Sequence, residues 1–301
     1  MRYHFMIVDV FTDTPFGGNQ LAVLTDARGL TTEAMQTITR EFDFPESTFL
    51  LPPSAPSYAR RVRIFTPGRE LPFAGHPTVG TACALVMSGA FQPGEVILEE
   101  GVGPVPVQVE QTGAGFSGRF RLDRGPDLPD SVPSKADMAA ILSLEPGDVL
   151  DVFGAGFGVD FTFVQVRDRE AVDRSKLDHP TWARILENAW GPQVHVFAGE
   201  PADGNEIYAR MYGVKFGIPE DPATGSAAAA FAGATALRAG GSVTRQIDVR
   251  QGVKMGRPSL IRTSATVDGG ELRSVEVGGG CAFVAEGEIE VPDHFLERAR
   301  D

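Results

Sequence analysis

The stretch Glu220-Asp221-Pro222-Ala223-Thr224-Gly225-Ser226-Ala227 (EDPATGSA) joins an acid, a proline, a glycine and a hydroxyl ahead of a long alanine run. Asp221 is a favoured helix N-cap, Pro222 suits the first helical position, and the alanines favour continuation. The composition therefore predicts a helix that begins at Asp221-Pro222. Two interpretations stay open, a helix start with no further role and a site that holds a ligand.

A second stretch, Gly75 to Ala82 (GHPTVGTA), aligns with the first and indicates a duplication. At an offset of 145 residues (221 − 76), the matched pairs are His76 with Asp221, Pro77 with Pro222, Gly80 with Gly225 and Thr81 with Ser226. The flanks also match, because residues 63–65 resemble 210–212 and residues 97–102 resemble 248–253. This period far exceeds the roughly 20 to 50 residues of repeat arrays, so it indicates two related domains rather than a solenoid.

Two helix starts related by duplication predict an anion site. A helix N-terminus presents free backbone N–H groups and the positive end of the helix dipole. We expect the two starts to face each other across a groove and to hold a carboxylate through backbone N–H groups. The donors would be Gly80, Thr81, Gly225 and Ser226, with the two glycines allowing close approach of the ligand.

The composition excludes several classes of function. A chain of 301 residues suits two domains, and a formal net charge of −13 disfavours nucleic acid and anionic membranes as partners. Only Cys83 and Cys281 are present, without metal-ligand spacing, so we expect no bound metal and no disulfide framework. The absence of a long apolar run and of a signal peptide pattern predicts a cytoplasmic protein.

Local patterns predict the order of elements along the chain. Helices are expected from Thr31 or Thr32 to about Phe42, from Lys135 to about Leu144 and from Asp178 to Ala189. Strands are expected at 3–11, 20–24, 46–51, 63–65, 161–166, 195–198, 275–280 and 281–291. The stretch from Gly113 to Pro133 is rich in turn residues and is the best candidate for the boundary between the halves.

Several motifs together resemble the phenazine-biosynthesis isomerase family, the PhzF-like proteins. They run in order through most of the chain: residues 15–23 (PFGGNQLAV), 45–49 (PESTF), 65–67 (FTP), 70–77 (ELPFAGHP), 217–227 (GIPEDPATGSA), 251–252 (QG) and 255–259 (MGRPS). The resemblance implies an α+β fold like that of diaminopimelate epimerase, in which each pseudo-symmetric half wraps a mixed, largely antiparallel sheet around a central helix. It also implies a homodimer. The halves would comprise residues 1–125, completed by 282–301, and residues 126–281, with the active site in the cleft between them.

The same resemblance implies a cofactor-independent isomerase that moves a proton on a small carboxylate substrate, of the trans-2,3-dihydro-3-hydroxyanthranilate isomerase type. Glu46 would be the general base and then the acid, with His76 and Asp221 flanking the substrate ring. Substrate-binding groups would be Asn19, Gly75, Gly80, Thr81, Gly225 and Ser226. Pro45 stands where many family members carry a serine, and the resemblance does not assign the chain to phenazine synthesis.

Two other functions remain open at this stage. Related folds racemise or epimerise amino acids with two thiols, but neither helix start carries a cysteine, and Cys83 lies seven residues beyond His76 (83 − 76). An epimerase that uses Glu46 and Asp221 as its acid and base is still possible. The third interpretation is a protein that binds a small carboxylate without turning it over.

Overall fold

The computed structural model describes residues 1–113 and 115–297, and the chain divides into two compact units. The first unit is Met1–Phe120 together with the chain from Gly278 onward, and the second is Arg121–Val277. The sequence places the corresponding boundaries slightly later, after residues 125 and 281. Residues 298–301 of the predicted first half lie outside the described part of the chain.

The first unit is a closed, mixed sheet. Its strands are hydrogen-bonded in the order β1-β2-β3-β4-β6-β7-β8-β16, where β16 is the long strand Glu271–Glu290. Strand β1 pairs with β16 and completes the ring. The pairs β2–β3 and β4–β6 are parallel, and the other registered pairs are antiparallel. The elements are β1 Arg2–Val10, β2 Asn19–Leu24, α1 Thr32–Phe42, β3 Glu46–Leu51, β4 Arg60–Phe65, β5 Glu70–Leu71, α2 Gly75–Met87, β6 Gly94–Glu100, β7 Gly103–Thr112 and β8 Gly115–Leu122.

Helix α2 occupies the centre of this unit. Every residue from Gly75 to Val86 is buried, as expected for a helix that the sheet surrounds on all sides. The helix approaches the sheet closely at Gly80, where a Cβ atom would lie 2.6 Å from side-chain carbons of both Leu21 and Val10. Gly80 of the repeated motif is therefore needed for close packing of the helix on the sheet.

The second unit likewise has a mixed sheet around a central helix. Its strands follow the order β16-β15-β14-β12-β11-β10-β9, with parallel pairing in β10–β11 and β12–β14. Helix α6 is its buried central helix. The elements are α3 Lys135–Ile141, β9 Val149–Gly156, β10 Asp160–Val166, α4 Arg169–Arg174, α5 His179–Ile185, β11 Gln193–Ala198, β12 Asn205–Gly213, β13 Ile218–Asp221, α6 Gly225–Ala239, β14 Val243–Gln251, β15 Ser259–Asp268 and β16 Glu271–Glu290.

The glycine run Gly278–Gly280 does not end a strand, contrary to the sequence-based prediction. Strand β16 continues through it from Glu271 to Glu290. A Cβ atom on Gly278 would lie 2.6 Å from the Gly118 carbonyl oxygen, and one on Gly280 would lie 2.1 Å from Asp13 Oδ1. These glycines permit close backbone packing within the first unit, which a local pattern cannot distinguish from a turn.

The predicted α+β fold, with a mixed sheet around a central helix in each half, is confirmed. None of the helices within residues 1–113 and 115–297 has the length and apolar character needed to span a membrane.

Candidate functional site

Two of the predicted catalytic residues meet in the first unit. Glu46 begins β3, and His76 is the second residue of the central helix α2. Glu46 Oε2 lies 3.5 Å from His76 Nε2, and the two side chains are only 12% and 5% exposed. The fold thus brings together a carboxyl and an imidazole that are 30 residues apart in sequence (76 − 46).

The His76 ring is held neutral. Burial lowers the pKa of His76 to about 3, and a hydrogen bond to the Gln20 backbone opposes this shift only in part. Within the described chain Nε2 has no hydrogen-bond partner, so the bond to Gln20 involves Nδ1. Because that bond favours the protonated ring, Nδ1 donates to the Gln20 carbonyl. Nε2 then directs its lone pair toward Glu46 and can accept a hydrogen bond from that carboxyl when it is protonated.

The other predicted residues of the first unit are buried around the same helix. Asn19 begins β2, and Gly75 is the first residue of α2. Thr81 Oγ1 lies 2.9 Å from Thr48 Oγ1 and joins α2 to β3.

Gly80 and Thr81 require a correction. The sequence places them at a helix start, but α2 begins at Gly75, so both lie in its second turn. Their N–H groups point to carbonyls of the preceding turn. The expected backbone grip on a carboxylate therefore does not come from these two residues.

In the second unit, Asp221 is not the helix N-cap that the sequence predicts. It is the last residue of β13, and α6 begins three residues beyond Pro222 at Gly225, with Thr224 as the N-cap. Asp221 is 6% exposed, and its Oδ2 accepts a hydrogen bond from Thr224 Oγ1. Gly225 and Ser226 open the helix, where backbone N–H groups have no acceptor within the helix itself.

Gln251 holds this loop in place, a role of its side chain that no sequence pattern predicts. Its Nε2 donates to the Asp221 carbonyl at 2.7 Å and contacts Thr224 Oγ1 at 3.0 Å. His195, a fully buried residue of β11, lies close to Gln251, but neither of its ring nitrogens has a hydrogen-bond partner among the described residues. Burial lowers the pKa of His195 to about 4, and the contact with Gln251 opposes that shift.

The starts of the two central helices show that the two repeats correspond in a register different from the predicted one. Each central helix begins at a glycine three residues after a proline, Pro72-x-x-Gly75 and Pro222-x-x-Gly225. The offset is 150 (222 − 72 and 225 − 75) rather than 145, so His76 corresponds to Ser226. The shared Pro-x-x-Gly spacing is the sequence signal that would have revealed this register.

The cysteines do not lie at either helix start. Cys83 is the ninth residue of α2, and both Cys83 and Cys281 are buried in the first unit with free thiols. The two-thiol arrangement considered from the sequence therefore finds no support. Among the described residues there is no group of three or more His, Cys, Asp or Glu side chains that could hold a metal ion.

Comparisons with known proteins agree with the fold and identify the family to which the chain is similar. The family profile described as "Phenazine biosynthesis-like protein" matches residues 8–287. An uncharacterized isomerase of Mesorhizobium japonicum is 40% identical over 95% of this chain and 98% of its own length. The trans-2,3-dihydro-3-hydroxyanthranilate isomerase of Pseudomonas aeruginosa is 34% identical over 95% and 98% of the two chains.

Solved structures show the same architecture. The crystal structure of a PhzF-family phenazine biosynthesis protein of Bacillus anthracis superposes with a TM-score of 0.82, with 25% identity and coverage of 97% of this chain and 100% of that one. A probable proline racemase of Agrobacterium radiobacter superposes with a TM-score of 0.61, covering 96% and 93% of the two chains. At 12% identity, this second likeness concerns the fold alone.

Proposed function

The chain belongs to the phenazine biosynthesis-like (PhzF) family and is an isomerase, and from this premise we propose that it moves a proton between two carbons of a small carboxylate substrate with Glu46 as the proton carrier. The observation that carries the proposal is the buried contact between Glu46 and a neutral His76. A carboxyl beside a neutral acceptor can exist in both protonation states during a reaction, which a proton carrier requires.

The proposed reaction balances without an oxidant, a reductant or a cofactor. The Glu46 carboxylate removes a proton from one substrate carbon, and the electron pair of that C–H bond shifts into the substrate π system. The Glu46 acid then returns the proton to a second carbon of the same substrate. Nε2 of His76 accepts a hydrogen bond from Glu46 while that residue holds the proton, which keeps the carboxyl oriented between the two transfers.

In the second unit, Asp221 and the opening residues of α6 are proposed to bind the substrate. Gly225 and Ser226 carry backbone N–H groups suited to a carboxylate, and Ser226 adds a hydroxyl. Asp221 is an acceptor for an amino or hydroxyl group on the substrate. In the first unit, Asn19 and Gly75 are proposed as further contacts.

Deuterium exchange in D2O, followed by proton NMR, tests the proposal. Wild-type protein and Glu46→Gln are incubated with trans-2,3-dihydro-3-hydroxyanthranilate, the substrate named for the Pseudomonas relative, and with a panel of cyclic and α-amino carboxylates. We expect the wild type to form product or incorporate deuterium with at least one compound. The Glu46→Gln variant should be slower by about 10²- to 10⁴-fold, the usual contribution of a general acid or base.

Glu95→Gln is the matched control, because Glu95 is an exposed residue of β6. It should exchange at the wild-type rate. Equal rates in wild type and Glu46→Gln would contradict the assignment of Glu46. Thermal stabilisation of the wild type by a panel compound that shows no exchange would favour a binding protein instead.

A further inference from the structure

Glu100 is a buried acid that has no role in the proposed reaction, and it contacts the first turn of α2. Glu100 is the last residue of β6, and only 6% of it is exposed. Its Oε1 lies 2.8 Å from Thr78 Oγ1, and its Oε2 has no hydrogen-bond partner among the described residues. An ionised carboxylate with an unpaired oxygen would be costly at this depth.

The Thr78 hydroxyl has two possible acceptors for its hydrogen, and its choice between them decides whether Glu100 must carry a proton. Thr78 Oγ1 is 2.8 Å from the Ala74 carbonyl oxygen as well as 2.8 Å from Glu100 Oε1. A hydroxyl has a single hydrogen, and a carbonyl oxygen can only accept. If Thr78 donates to Ala74, the contact with Glu100 is a hydrogen bond only when Glu100 carries the proton. Burial acts in the same direction and raises the pKa of Glu100 to about 8.

The second unit places a neutral donor at the corresponding position. Gln251 is the last residue of β14, as Glu100 is of β6, and each is followed by Gly-Val. Gln251 reaches the loop before α6 through its amide N–H group. The glycines after them are also equivalent, since a Cβ atom on Gly101 would meet Pro72 at 2.8 Å and one on Gly252 would meet Pro222 at 2.5 Å.

We propose that Glu100, in its protonated form, donates a hydrogen bond to Thr78 and thereby positions the first turn of α2 that carries His76. Through Thr78 the bond reaches the carbonyl of Ala74, the N-cap residue, two positions before His76. Glu100 is therefore a positioning residue, and it does the work in the first unit that the Gln251 amide does in the second.

Three of the charged neighbours of Glu100, namely Arg63, Glu70 and Glu99, are engaged with other groups. Glu100 lines a cavity of about 620 Å³ that also contains Arg61 and Arg63 of β4, Glu70 of β5 and Glu99 of β6. Arg63 forms two hydrogen bonds to Glu70, at 2.7 and 2.6 Å. Glu99 accepts the Ser54 N–H at 2.7 Å, and hydrogen bonding by the side chain and then the backbone of Ser54, with the nearby charge of Arg61, lowers the pKa of Glu99. Adjacent glutamates of one strand thus have opposite shifts.

The first test is the melting temperature of wild type, Glu100→Gln and Glu99→Gln between pH 4.5 and pH 9. The folded pKa of Glu100 is raised, so the stability that its proton contributes is fully present below the unfolded value of 4.5 and is lost as pH rises toward 8. Gln cannot lose a proton there. We expect Glu100→Gln to become progressively more stable than wild type from pH 4.5 to pH 8 and the difference to level off above. Glu99→Gln should show no such rise, and a flat difference for Glu100→Gln would overturn the proposal.

The second test asks whether Glu100 positions His76. The ring ¹⁵N–¹H signals of His76, assigned with His76→Gln, should move in Glu100→Leu and stay close to wild type in Glu100→Gln and Glu99→Gln. Equal displacement in the Gln and Leu variants would contradict a positioning role. This readout needs no substrate, so it stands even if Glu100→Leu is too unstable for assay, because Glu100→Gln is still compared with wild type.

The activity test rests on the proposed function. With a substrate from the exchange panel, Glu100→Leu should be slower by about tenfold or more, because a small displacement of a catalytic group is costly. Glu100→Gln should restore the rate and should keep it above pH 8, where the wild type slows. Absence of exchange by the wild type would count against the proposed function and leave the two tests above unaffected. Loss of activity in Glu100→Gln equal to that in Glu100→Leu would overturn the inference.

Discussion

The starts of the two central helices share a backbone plan and differ in the chemistry of their side chains. Both have the Pro-x-x-Gly spacing, and both lie against a glycine that follows a strand, Gly101 or Gly252. The α2 start carries His76 and Pro77 and has no side-chain cap. The α6 start carries Thr224 and Ser226 and directly follows Asp221 in the loop.

Under the proposed function, this difference gives the two helix starts different tasks. Pro77 is the third residue of α2 and has no N–H group, so the α2 start has one fewer donor for an anion than the α6 start. The α2 start instead holds an imidazole against Glu46. In the proposed function, the first unit carries the proton transfer and the second binds the substrate by donors and an acid.

The largest expected loss of unfolding free energy comes from substitution of the glycines that lie against the two helix starts, Gly101 and Gly252. In Gly252→Ala the new methyl would lie 2.4 and 2.5 Å from the carbonyl oxygens of Arg257 and Pro222, at a backbone φ of +74°. Steric overlap with the backbone and left-handed strain together should cost about 4 kcal/mol of unfolding free energy. Urea unfolding measures this loss.

Gly256→Ala is the control for strain alone, because Gly256 has φ +73° and no neighbouring atom within 4 Å of the added carbon. It should cost about 1–2 kcal/mol. Gly101→Ala, without a positive φ, should fall between the two. A Gly252→Ala variant no less stable than Gly256→Ala would show that the loop before α6 is not held by this packing.

The next largest loss of stability is expected for the opposite substitution at the corresponding position of the second unit, Gln251→Glu. In Gln251→Glu a carboxylate would face the Asp221 carbonyl, where the wild-type amide donates at 2.7 Å. We expect a loss of about 3 kcal/mol at pH 7, because a buried charge without a donor is penalised. The loss should shrink as pH falls and the new acid takes up a proton. Gln246→Glu, on the exposed side of the same strand, should cost little at either pH.

The sequence predicts local elements well and their long-range partners poorly. Strand β3 matches its predicted bounds at Glu46 and Leu51, and Thr31, one of the two residues predicted to cap α1, accepts the N–H of Ala34. These signals lie within a few residues of the element they define. The bond from Gln251 to Asp221 spans 30 residues, and it forms only after the sheet has placed β14 beside β12.

The wrong register of the repeat has a specific physical cause. The pattern predicts proline as the first residue of a helix, although proline is tolerated anywhere in the first turn because N–H groups there have no intrahelical acceptor. Pro77 is inside α2, whereas Pro222 precedes α6 by three residues. The contact of Glu46 with His76 could be expected only from the family resemblance, because no local pattern links these two residues.

A smaller effect is expected at acid pH from His195, the buried histidine of the second unit. The folded pKa of His195, about 4, lies below the unfolded value of 6.5, so its contribution is fully present above pH 6.5 and is lost as pH falls toward 4. Between pH 7 and pH 4.5 the wild type should lose about 2–3 kcal/mol more than His195→Gln. Thermal or urea unfolding at the two pH values measures the difference. The exposed His4→Gln should follow the wild type, and a similar loss in His195→Gln would show that His195 is not buried in its neutral form.

The smallest effects come from glycines within the two central helices, and they separate packing from ligand binding. Gly80→Ala brings a methyl within 2.6 Å of the movable ends of Leu21 and Val10 and should cost about 2 kcal/mol. In Gly233→Ala of α6 the nearest atoms are at an ordinary 3.4 Å, so removal of a helical glycine should stabilise by about 0.5–1 kcal/mol. If Gly80 serves packing alone, the rate per folded molecule of Gly80→Ala stays at the wild-type value while its stability falls. If Gly80 instead lets the backbone approach a ligand, as the sequence suggested, KM rises in Gly80→Ala and is unchanged in Gly233→Ala.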